Sequence, residues 1–399
     1  MPQADGHPAT RLNIVADAHI WGVQEAFGRL PGHEVSLHVL EAPDITHEAL
    51  KQADVLITRS STRVNESLLA ETPVRFAATA TIGDDHYDKP WLEANGIRHA
   101  NAAGSSTGSV LEYMLSAMLE LHARGLIKLP ETRLGIIGAG RIGGALADIC
   151  EALGMPVLCN DPPRARKEGA AGFASLDELL LQTDVLSLHT PLHRSGEDCT
   201  LHLLDADELA RFKGRGIINA GRGACLDNTA LLDWLDGDAA RFAVLDCWEN
   251  EPAISPALLA HAQLAIGTPH IAGHSLDGKA ANTVYARRAL CAWLRVDAEW
   301  DLDGLLPPTD LPTSLTCTSD VWFNLHAATC SLYDITRDDA DLRAEIRSGD
   351  TNPENIARRF SSLRRHYPAR RSWGLSPLTF RHPDPNTPRL AKAMGIKII

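Results

Sequence analysis

Short hydrophobic runs alternate with amphipathic segments from close to the beginning of the chain. The runs at 12–17 (LNIVAD), 34–40 (EVSLHVL), 53–60 (ADVLITRS) and 75–80 (RFAATA) are predicted strands, and 21–30 (WGVQEAFGRL) is a predicted helix. Short runs rich in apolar and β-branched residues are typical of strands buried inside a sheet. Their alternation with helices predicts a parallel sheet with helices on both faces.

A second series of the same kind follows a long helix predicted over 105–128. Its six strands have the sequences RLGIIG (133–138), PVLCN (156–160), DVLSLH (184–189), GIINAG (216–221), RFAVLD (241–246) and QLAIGT (263–268). Six strands with short crossovers after a glycine-rich turn are typical of a dinucleotide-binding sheet. A further long helix, predicted over 275–298, is long enough to return the chain to the first unit.

The composition changes at Leu305, where LLPPTDLPTS has the proline, serine and threonine content of a linker. The sequence therefore predicts an α/β protein with two doubly wound parallel-sheet (Rossmann-like) domains and a C-terminal α+β domain. The predicted boundaries are 1–102 with 275–303 for a substrate-binding domain, 103–274 for a dinucleotide-binding domain, and 304–399 for the C-terminal domain.

The charge balance excludes several kinds of partner. With 51 acidic and 38 basic residues, the chain has a formal net charge of −13, which argues against a nucleic-acid or anionic-membrane surface. An anionic substrate would therefore have to be bound by a few local arginines. The most apolar helical stretch, 109–129, contains four charged residues and is too charged to span a bilayer.

The N-terminal and cysteine patterns predict the compartment. The segment MPQADGHPATR lacks the apolar core of a signal peptide. The eight cysteines are scattered without a C-x-x-C pair, a spacing that fits neither a zinc site nor a disulfide framework. We therefore expect reduced thiols and a cytoplasmic location.

A glycine-rich turn carries the dinucleotide signal. Gly138, Gly140 and Gly143 stand in the pattern GAGRIG, with Arg141 and Ile142 opening the following helix. The first glycine permits the tight turn, the second lets a pyrophosphate approach the backbone, and the third lets helix and strand pack closely. The phosphates are expected on the N–H groups at the start of the helix.

The next strand ends in an acidic residue at the position expected for a ribose contact. The carboxylate of Asp161 is predicted to accept the ribose hydroxyls and to repel a 2′-phosphate, which favours NAD over NADP. Arg164 and Arg166 follow closely and would weaken that preference if they faced the cofactor. A solvated loop is the alternative interpretation of both arginines.

Three segments between residues 219 and 273 place polar side chains directly after predicted strands. They are NAGRG with Arg222, LDCWENEP with Glu251, and TPHIAG with His270. A histidine can remove a hydroxyl proton while a neighbouring carboxylate orients its ring. An arginine can bind a substrate carboxylate through its planar set of N–H donors. His270 is the candidate base, Glu251 its partner and Arg222 the anchor. His270 and His274 also have the spacing of a metal pair, but the loop around Gly273 argues against one and no metal is predicted.

The motifs GAGRIG, SLHTPL, INAGRGACLDNTALL, LDCWENEP and TPHIAG together resemble the D-isomer-specific 2-hydroxyacid dehydrogenases. TRSSTRVNESLL, FAATATIGDDHYD, DPPRAR, HIAGHSLDGKA and LYDITRDDADLR resemble the branch of that family that oxidises 4-phospho-D-erythronate. The resemblance covers nearly the whole chain. It implies oxidation to 2-oxo-3-hydroxy-4-phosphobutanoate in pyridoxal 5′-phosphate biosynthesis, by a homodimer that pairs through its C-terminal domain.

The resemblance also implies roles for particular residues. Substrate contacts would fall on Ser60 and Thr81, with Arg59 beside them and His274 where the family has a tyrosine. Arg222, Glu251 and His270 would form the active site, with His270 as proton donor. The NAD contacts would be Asp161, Thr190, Ala220, Gly221, Arg222, Asp246 and Gly273.

Several positions depart from the family pattern near the expected substrate. They are Asp84, Ser105, Ser106 and His274. None belongs to the catalytic three, so the departures concern the identity of the substrate and not the type of reaction. Two alternatives therefore stay open: a dehydrogenase for another small 2-hydroxy acid, and a catalytically silent NAD-sensing regulator on the same fold.

Overall fold

A computed structural model describes residues 10–302, 304–309 and 313–399. Its strands are β1 (Thr10–Asp17), β2 (His33–Leu40), β3 (Val55–Thr58), β4 (Phe76–Thr79), β5 (Arg98–Ala100), β6 (Leu134–Ile137), β7 (Val157–Asn160), β8 (Val185–Leu188), β9 (Gly216–Asn219), β10 (Phe242–Leu245), β11 (Leu264–Gly267), β12 (Thr313–Thr316) and β13 (Leu378–Arg381). Its helices are α1 (Val23–Phe27), α2 (Glu66–Leu69), α3 (Lys89–Ala94), α4 (Thr107–Ala123), α5 (Arg141–Ala152), α6 (Pro162–Glu168), α7 (Leu176–Gln182), α8 (Ala206–Arg211), α9 (Asn228–Asp236), α10 (Pro256–Leu259), α11 (Leu276–Leu294), α12 (Val321–Leu332), α13 (Ile335–Glu345), α14 (Pro353–Arg365) and α15 (Asn386–Ala393).

The chain forms two compact units. The first contains the described residues up to Ser106 together with Leu276–Pro308, and the second contains Thr107–Ser275 and the described residues from Thr309 onward. The C-terminal region thus shares one compact unit with the predicted dinucleotide-binding sheet. The division into three domains stays a prediction.

The first unit is built on a five-stranded sheet in the order β2-β1-β3-β4-β5, and its strand pairs are parallel. Each predicted strand of this unit is present. β5 was not predicted, because only three residues, Arg98–Ala100, form it and two of them are polar. Helix α11 packs on the sheet through Ala286, Leu290 and Cys291.

The second unit contains a parallel six-stranded sheet in the order β11-β10-β9-β8-β6-β7. All six predicted strands are present. β6 lies between β7 and β8, so the crossovers on its two sides run in opposite directions along the sheet. Ligands bind beyond the carboxyl ends of the strands at such a switch point. The doubly wound α/β fold predicted from the sequence is confirmed.

The C-terminal region adds helices α12–α15 and the parallel pair β12–β13 to the second unit. Its Arg343 guanidinium donates to the carbonyl of Leu264 at 2.8 Å, and its Asp339 carboxylate accepts from the N–H of Gly267 at 2.7 Å. Both partners belong to β11, the strand that precedes His270. In the described part of the chain, no helix is long and apolar enough to cross a membrane.

Candidate active site

The three glycines of the turn after β6 differ in how much room each leaves for a side chain. Gly138 has φ of 89°, and a Cβ there would lie 2.9 Å from the carbonyl carbon of His189. A Cβ at Gly143 would lie 2.0 Å from the carbonyl oxygen of Gly138, so helix and strand are in backbone contact. At Gly140 an added Cβ would meet no atom within 4 Å. Packing within the protein therefore does not require a glycine at 140. The open space beside Gly140 fits a site where a pyrophosphate approaches the backbone.

The start of α5 offers N–H groups to that space. Gly140 is the N-cap residue and supplies no capping side chain. The first backbone bond of the helix runs from the N–H of Gly144 to the carbonyl of Gly140 at 2.8 Å. The N–H groups of Arg141, Ile142 and Gly143 precede it and have no carbonyl to accept them inside the helix, so they suit a phosphate.

Asp161 follows β7, as predicted, and also caps α6. One of its carboxylate oxygens accepts from the N–H of Arg164 at 3.0 Å. The Arg164 side chain bonds Glu168 at 2.7 Å and also donates to the carbonyl of Ala139. Arg164 is therefore held in place by partners within the protein.

Arg166 is likewise held by acidic neighbours. Its guanidinium lies 2.5 Å from Asp198 and 3.2 Å from Glu197. These two carboxylates offset its charge. Both nearby arginines are thus paired with carboxylates, and the preference for NAD at Asp161 stays a prediction.

Thr190 and His189 follow β8 beside the glycine turn. The hydroxyl of Thr190 donates to the sulfur of Cys225 at 3.4 Å. Burial lowers the pKa of His189 to about 4, so this ring is neutral at physiological pH. His189 therefore adds no positive charge beside the predicted cofactor contacts.

The loop after β9 brings Arg222 to the sheet edge. Gly221 lies close to β8, because a Cβ there would be 2.9 Å from the carbonyl oxygen of Leu188. The backbone of Arg222 is fixed by Asn219, whose side-chain amide donates to the Arg222 carbonyl at 3.0 Å. Gly223 is in such close contact with Trp248 that a Cβ would lie 1.9 Å from its carbonyl oxygen.

His270 and Glu251 form the closest polar pair of the site. His270 Nδ1 lies 2.5 Å from Glu251 Oε1, and the other Glu251 oxygen accepts from the N–H of Trp248 at 3.1 Å. Burial alone would raise the pKa of Glu251. The charge and hydrogen bond of His270 and the charge of Arg364 outweigh burial and lower that pKa. Glu251 is thus a carboxylate, which accepts the Nδ1 proton and leaves Nε2 to exchange a proton with a substrate.

Asp246 holds the loop that carries His270. Its fully buried carboxylate accepts from the Thr268 hydroxyl at 2.7 Å, the Ile271 N–H at 2.7 Å and the Ala272 N–H at 3.0 Å. Burial raises the pKa of Asp246, against the charge of His270 and these donors. The sequence predicted Asp246 as an NAD contact; its contacts within the protein position the residues on both sides of His270.

The predicted substrate residues of the first unit follow β3 and β4. Arg59 and Ser60 come directly after β3, and the Thr81 hydroxyl lies 2.7 Å from that of Thr79 and donates to the carbonyl of Gly83 at 2.9 Å. The segment 59–63 leads from β3 to α2, which begins at Glu66. Asn65 is its N-cap, because Val64 first pairs with Tyr87 as an isolated bridge.

Asp84, a departure from the family pattern, is neutralised inside its own unit. Its oxygens accept from Lys89 Nζ at 3.1 Å and from the Asn101 side-chain amide at 2.8 Å. Burial would raise the pKa of Asp84, but these two hydrogen bonds and the Lys89 charge lower it overall. The added carboxylate is therefore paired with a cation.

His274 stands four residues after His270 and contacts the C-terminal region. Its ring lies 5.9 Å, edge to face, from that of Tyr367, whose hydroxyl donates to Asp338 at 2.8 Å. Arg370 donates to the carbonyl of Ala272 at 3.0 Å. Arg364, Tyr367 and Arg370 were not predicted as site residues, since no pattern in the C-terminal region indicates which loop it packs against.

Among the described residues, Glu120, His326 and Cys330 bring three potential metal ligands together. Glu120 is already engaged, since its two oxygens lie 2.7 Å from Arg124 Nε and 2.7 Å from His326 Nε2. We interpret this group as an ion-pair network that joins α4 to α12.

Comparison with known proteins places this geometry in a family. The model of the D-isomer specific 2-hydroxyacid dehydrogenase NAD-binding domain matches residues 116–272, and a domain of unknown function (DUF3410) matches 305–392. The erythronate-4-phosphate dehydrogenase of Pseudomonas savastanoi pv. phaseolicola is 43% identical over 90% of this chain and 93% of its own. That of Pseudomonas aeruginosa is 39% identical over 97% of this chain and 100% of its own.

A solved structure extends the comparison to the fold. The NAD⁺-bound 3-phosphoglycerate dehydrogenase of Entamoeba histolytica has a TM-score of 0.60 at 20% identity and covers 74% of this chain and 100% of its own. The fold and the matched domain define an NAD-dependent dehydrogenase of the 2-hydroxyacid class. Within that class, the chain belongs to the erythronate-4-phosphate dehydrogenase family.

If His270 is the base, its removal should abolish most of the turnover. We expect His270→Ala to lower kcat by ~10²–10⁴, the usual contribution of a general acid–base. His261→Ala is a matched control, because His261 forms a similar ion pair with Asp236 at 3.1 Å in the same unit. Steady-state oxidation assays of both variants test this. Near-normal turnover of His270→Ala would rule out the assignment.

The charge of Asp161 should set the cofactor preference. Asp161→Ser retains a hydroxyl that can cap α6 but removes the charge that would repel a 2′-phosphate. We expect NADP(H) binding to improve relative to NAD(H) by about tenfold, or roughly 1.4 kcal/mol, in calorimetry. Equal binding of both cofactors by the unaltered protein would contradict the prediction and indicate that Arg164 or Arg166 faces the cofactor.

Proposed function

We propose that the protein oxidises 4-phospho-D-erythronate at C2 with NAD, giving 2-oxo-3-hydroxy-4-phosphobutanoate for pyridoxal 5′-phosphate synthesis. The observation that carries the proposal is the similarity to relatives named for this reaction over nine-tenths or more of the chain. The bonded His270–Glu251 pair supports catalysis, so a silent regulator is the poorer interpretation.

Each residue has a part in the proposed reaction. His270 Nε2 takes the proton of the C2 hydroxyl, and Glu251 stabilises the imidazolium that results. Arg222 binds the substrate carboxylate with its planar donors. The glycine turn at 138–143 and Asp161 would hold NAD, whose nicotinamide would supply the acceptor for the C2 hydride. In the reverse direction His270 returns the proton.

Phosphate recognition is assigned to the first unit. A 4-phosphate carries close to two negative charges and needs several donors. Arg59, Ser60 and Thr81 follow neighbouring parallel strands and can supply charge and hydroxyls at one sheet edge. Asp84 does not oppose this, because Lys89 and Asn101 hold its carboxylate. The family has a tyrosine at the position of His274. This difference favours the alternative function, a dehydrogenase for another small 2-hydroxy acid.

The substrate proposal predicts a preference for the phosphorylated acid. We expect kcat/KM for 4-phospho-D-erythronate to exceed that for D-erythronate by at least about tenfold, since a charge-assisted contact adds roughly 1.4 kcal/mol or more. Arg59→Ala should remove most of the gap. Lys51→Ala, which removes an exposed cation paired with Glu48 in the same unit, should leave it intact. Equal efficiency on both acids would favour the alternative function.

We further propose a cytoplasmic homodimer joined through the C-terminal region. No disulfide joins any of the eight cysteines, all of which lie in the described part of the chain, and this supports a reducing compartment. Phe323 on α12 and Leu375 are 57% and 44% exposed, and large apolar side chains at a surface suit an interface. Deleting the region would be a poor test, because Leu342 and Phe360 belong to the hydrophobic core around the six-stranded sheet.

A point substitution tests the dimer without removing that core. Phe323→Asp should give monomers in size-exclusion chromatography with light scattering, because a buried charge opposes association. The helix should tolerate the change, since Asp is favourable in the first turn. Leu181→Asp is the control: Leu181 is 58% exposed but lies on α7, outside the C-terminal region. A dimer that survives Phe323→Asp and dissociates with Leu181→Asp would place the interface elsewhere.

A further inference from the structure

The first unit contains a cavity between β5, at the edge of its sheet, and the C-terminal end of α11. Its volume is about 390 Å³, within the range of about 300–1,000 Å³ that is common for small-molecule sites. Ala100, Ala289 and Ala292 line it, and their short side chains leave the space open. Among the described residues that line it, none is a predicted cofactor, substrate or catalytic residue, so the cavity is separate from the candidate active site.

The register of β4 and β5 determines the sheet side of the cavity. Arg98 pairs with Phe76 of β4 in parallel, so both side chains point to the same face of the sheet. On that face Phe76 packs against Trp293 of α11, with ring centroids 5.3 Å apart. Arg98 therefore lines the cavity on the side of two aromatic rings.

His99 also lines the cavity, and it offers a backbone donor there. Its ring bonds Glu93 of α3 at 3.1 Å, so the side chain is already engaged. The N–H of Arg98 donates to the carbonyl of Arg75 at 2.9 Å, on the side of β4. Because successive backbone groups of a strand point in opposite directions, the N–H of His99 points away from β4. β5 is the last strand in the sheet order, so this donor lies on the open edge of the sheet.

The helix side of the cavity ends in a cap that usually contains glycine. Arg295 follows α11 directly and has φ of 59°. Its N–H donates to the carbonyl of Ala292 at 3.3 Å. The N–H of Val296 donates to the carbonyl of Cys291 at 3.0 Å, which completes the two bonds of a Schellman cap. Glycine is the usual residue at this left-handed position, because a Cβ disfavours it. The chain has an arginine here despite that cost, and the arginine lines the cavity.

Arg98 and Arg295 bring two positive charges to one cavity. No acidic residue is among the described residues that line it. This is unusual in a chain with 51 acidic and 38 basic residues, where most exposed cations have carboxylates nearby. Two cations that share a cavity repel each other, and an anion between them would remove that repulsion. The charge of the cavity therefore favours an anionic ligand.

We propose that this cavity binds a small organic phosphate with a planar apolar body. A phosphate ester carries about −1.5 to −2 charges at neutral pH, which matches the two guanidinium groups of Arg98 and Arg295. Both groups and the His99 N–H can donate to its oxygens. The planar body packs against Trp293, since aromatic rings pack well on flat apolar groups. The proposal does not depend on the substrate or on the catalytic residues assigned above.

Phenyl phosphate is the probe for this site, and NMR of the tryptophan indole N–H groups is the measurement. The signal that vanishes in Trp293→Phe reports on the cavity. Phenyl phosphate should shift this signal saturably, and inorganic phosphate and benzoate should bind at least about tenfold more weakly, since each lacks one half of the ligand. Benzoate that binds as tightly as phenyl phosphate would overturn the phosphate assignment. The absence of a saturable shift with phenyl phosphate would overturn the proposal.

Variants show which residues hold the probe. Arg295→Gly should fold, because glycine is the usual residue of the cap. Arg295→Gly and Arg98→Gln should each weaken phenyl phosphate binding by about tenfold or more, through loss of a charge-assisted contact. Arg288→Gln is the matched control, because Arg288 is exposed on α11 and does not line the cavity. Arg59→Ala should also leave the Trp293 shift unchanged, which distinguishes this site from the phosphate contact proposed for the substrate. Unchanged binding in both Arg295→Gly and Arg98→Gln would overturn the proposal.

Discussion

The loop that carries His270 depends on one buried carboxylate. His270 has φ of 54°, in the left-handed region that costs a non-glycine residue about 1–3 kcal/mol. Asp246 accepts three hydrogen bonds from residues on either side of it. These hydrogen bonds hold the residues on both sides of His270 and so stabilise the loop against the strain. The loop can therefore hold its histidine in a conformation that the backbone alone would disfavour.

A second set of contacts joins this loop to the one that carries Glu251. The Trp248 indole N–H donates to the Thr268 carbonyl at 2.8 Å, while its backbone N–H donates to Glu251. The loop of the base and the carboxylate partner are thus both bonded to the same buried residue, Trp248. Preorganisation of this kind keeps a proton acceptor within reach of its substrate without reordering at each turnover. The C-terminal region supports the arrangement through Asp339 on Gly267 and Arg370 on Ala272.

Periodicity and turn chemistry predicted the parts of the fold that are local. The glycine turn, the buried strands and the residues at strand ends followed from the sequence because buried strands need continuous apolar runs. The proximity of His270 and Glu251 also followed, since neighbouring parallel strands end at one sheet edge. The helix start after 59–63 also followed, since Asn65 is the N-cap of α2.

Long-range contacts were beyond the sequence patterns. Asp246 was assigned to the cofactor by resemblance, and no spacing indicates that its oxygens bind the N–H groups of Ile271 and Ala272. Arg364 lies in a basic run for which no packing partner was predicted. The effect of its charge on the pKa of Glu251 depends on which side of the C-terminal region packs on the sheet, and that is decided by tertiary contacts.

The most direct test of the Asp246 account is a double-mutant cycle with His270. Asp246→Asn retains the side-chain shape but replaces one acceptor oxygen by a donor, so at least one loop N–H should lose its partner. If Asp246 acts by placing His270, Asp246→Asn should lower kcat strongly in the unaltered protein and little further in His270→Ala. Equal losses in both backgrounds would contradict the account and show that Asp246 acts independently of the base.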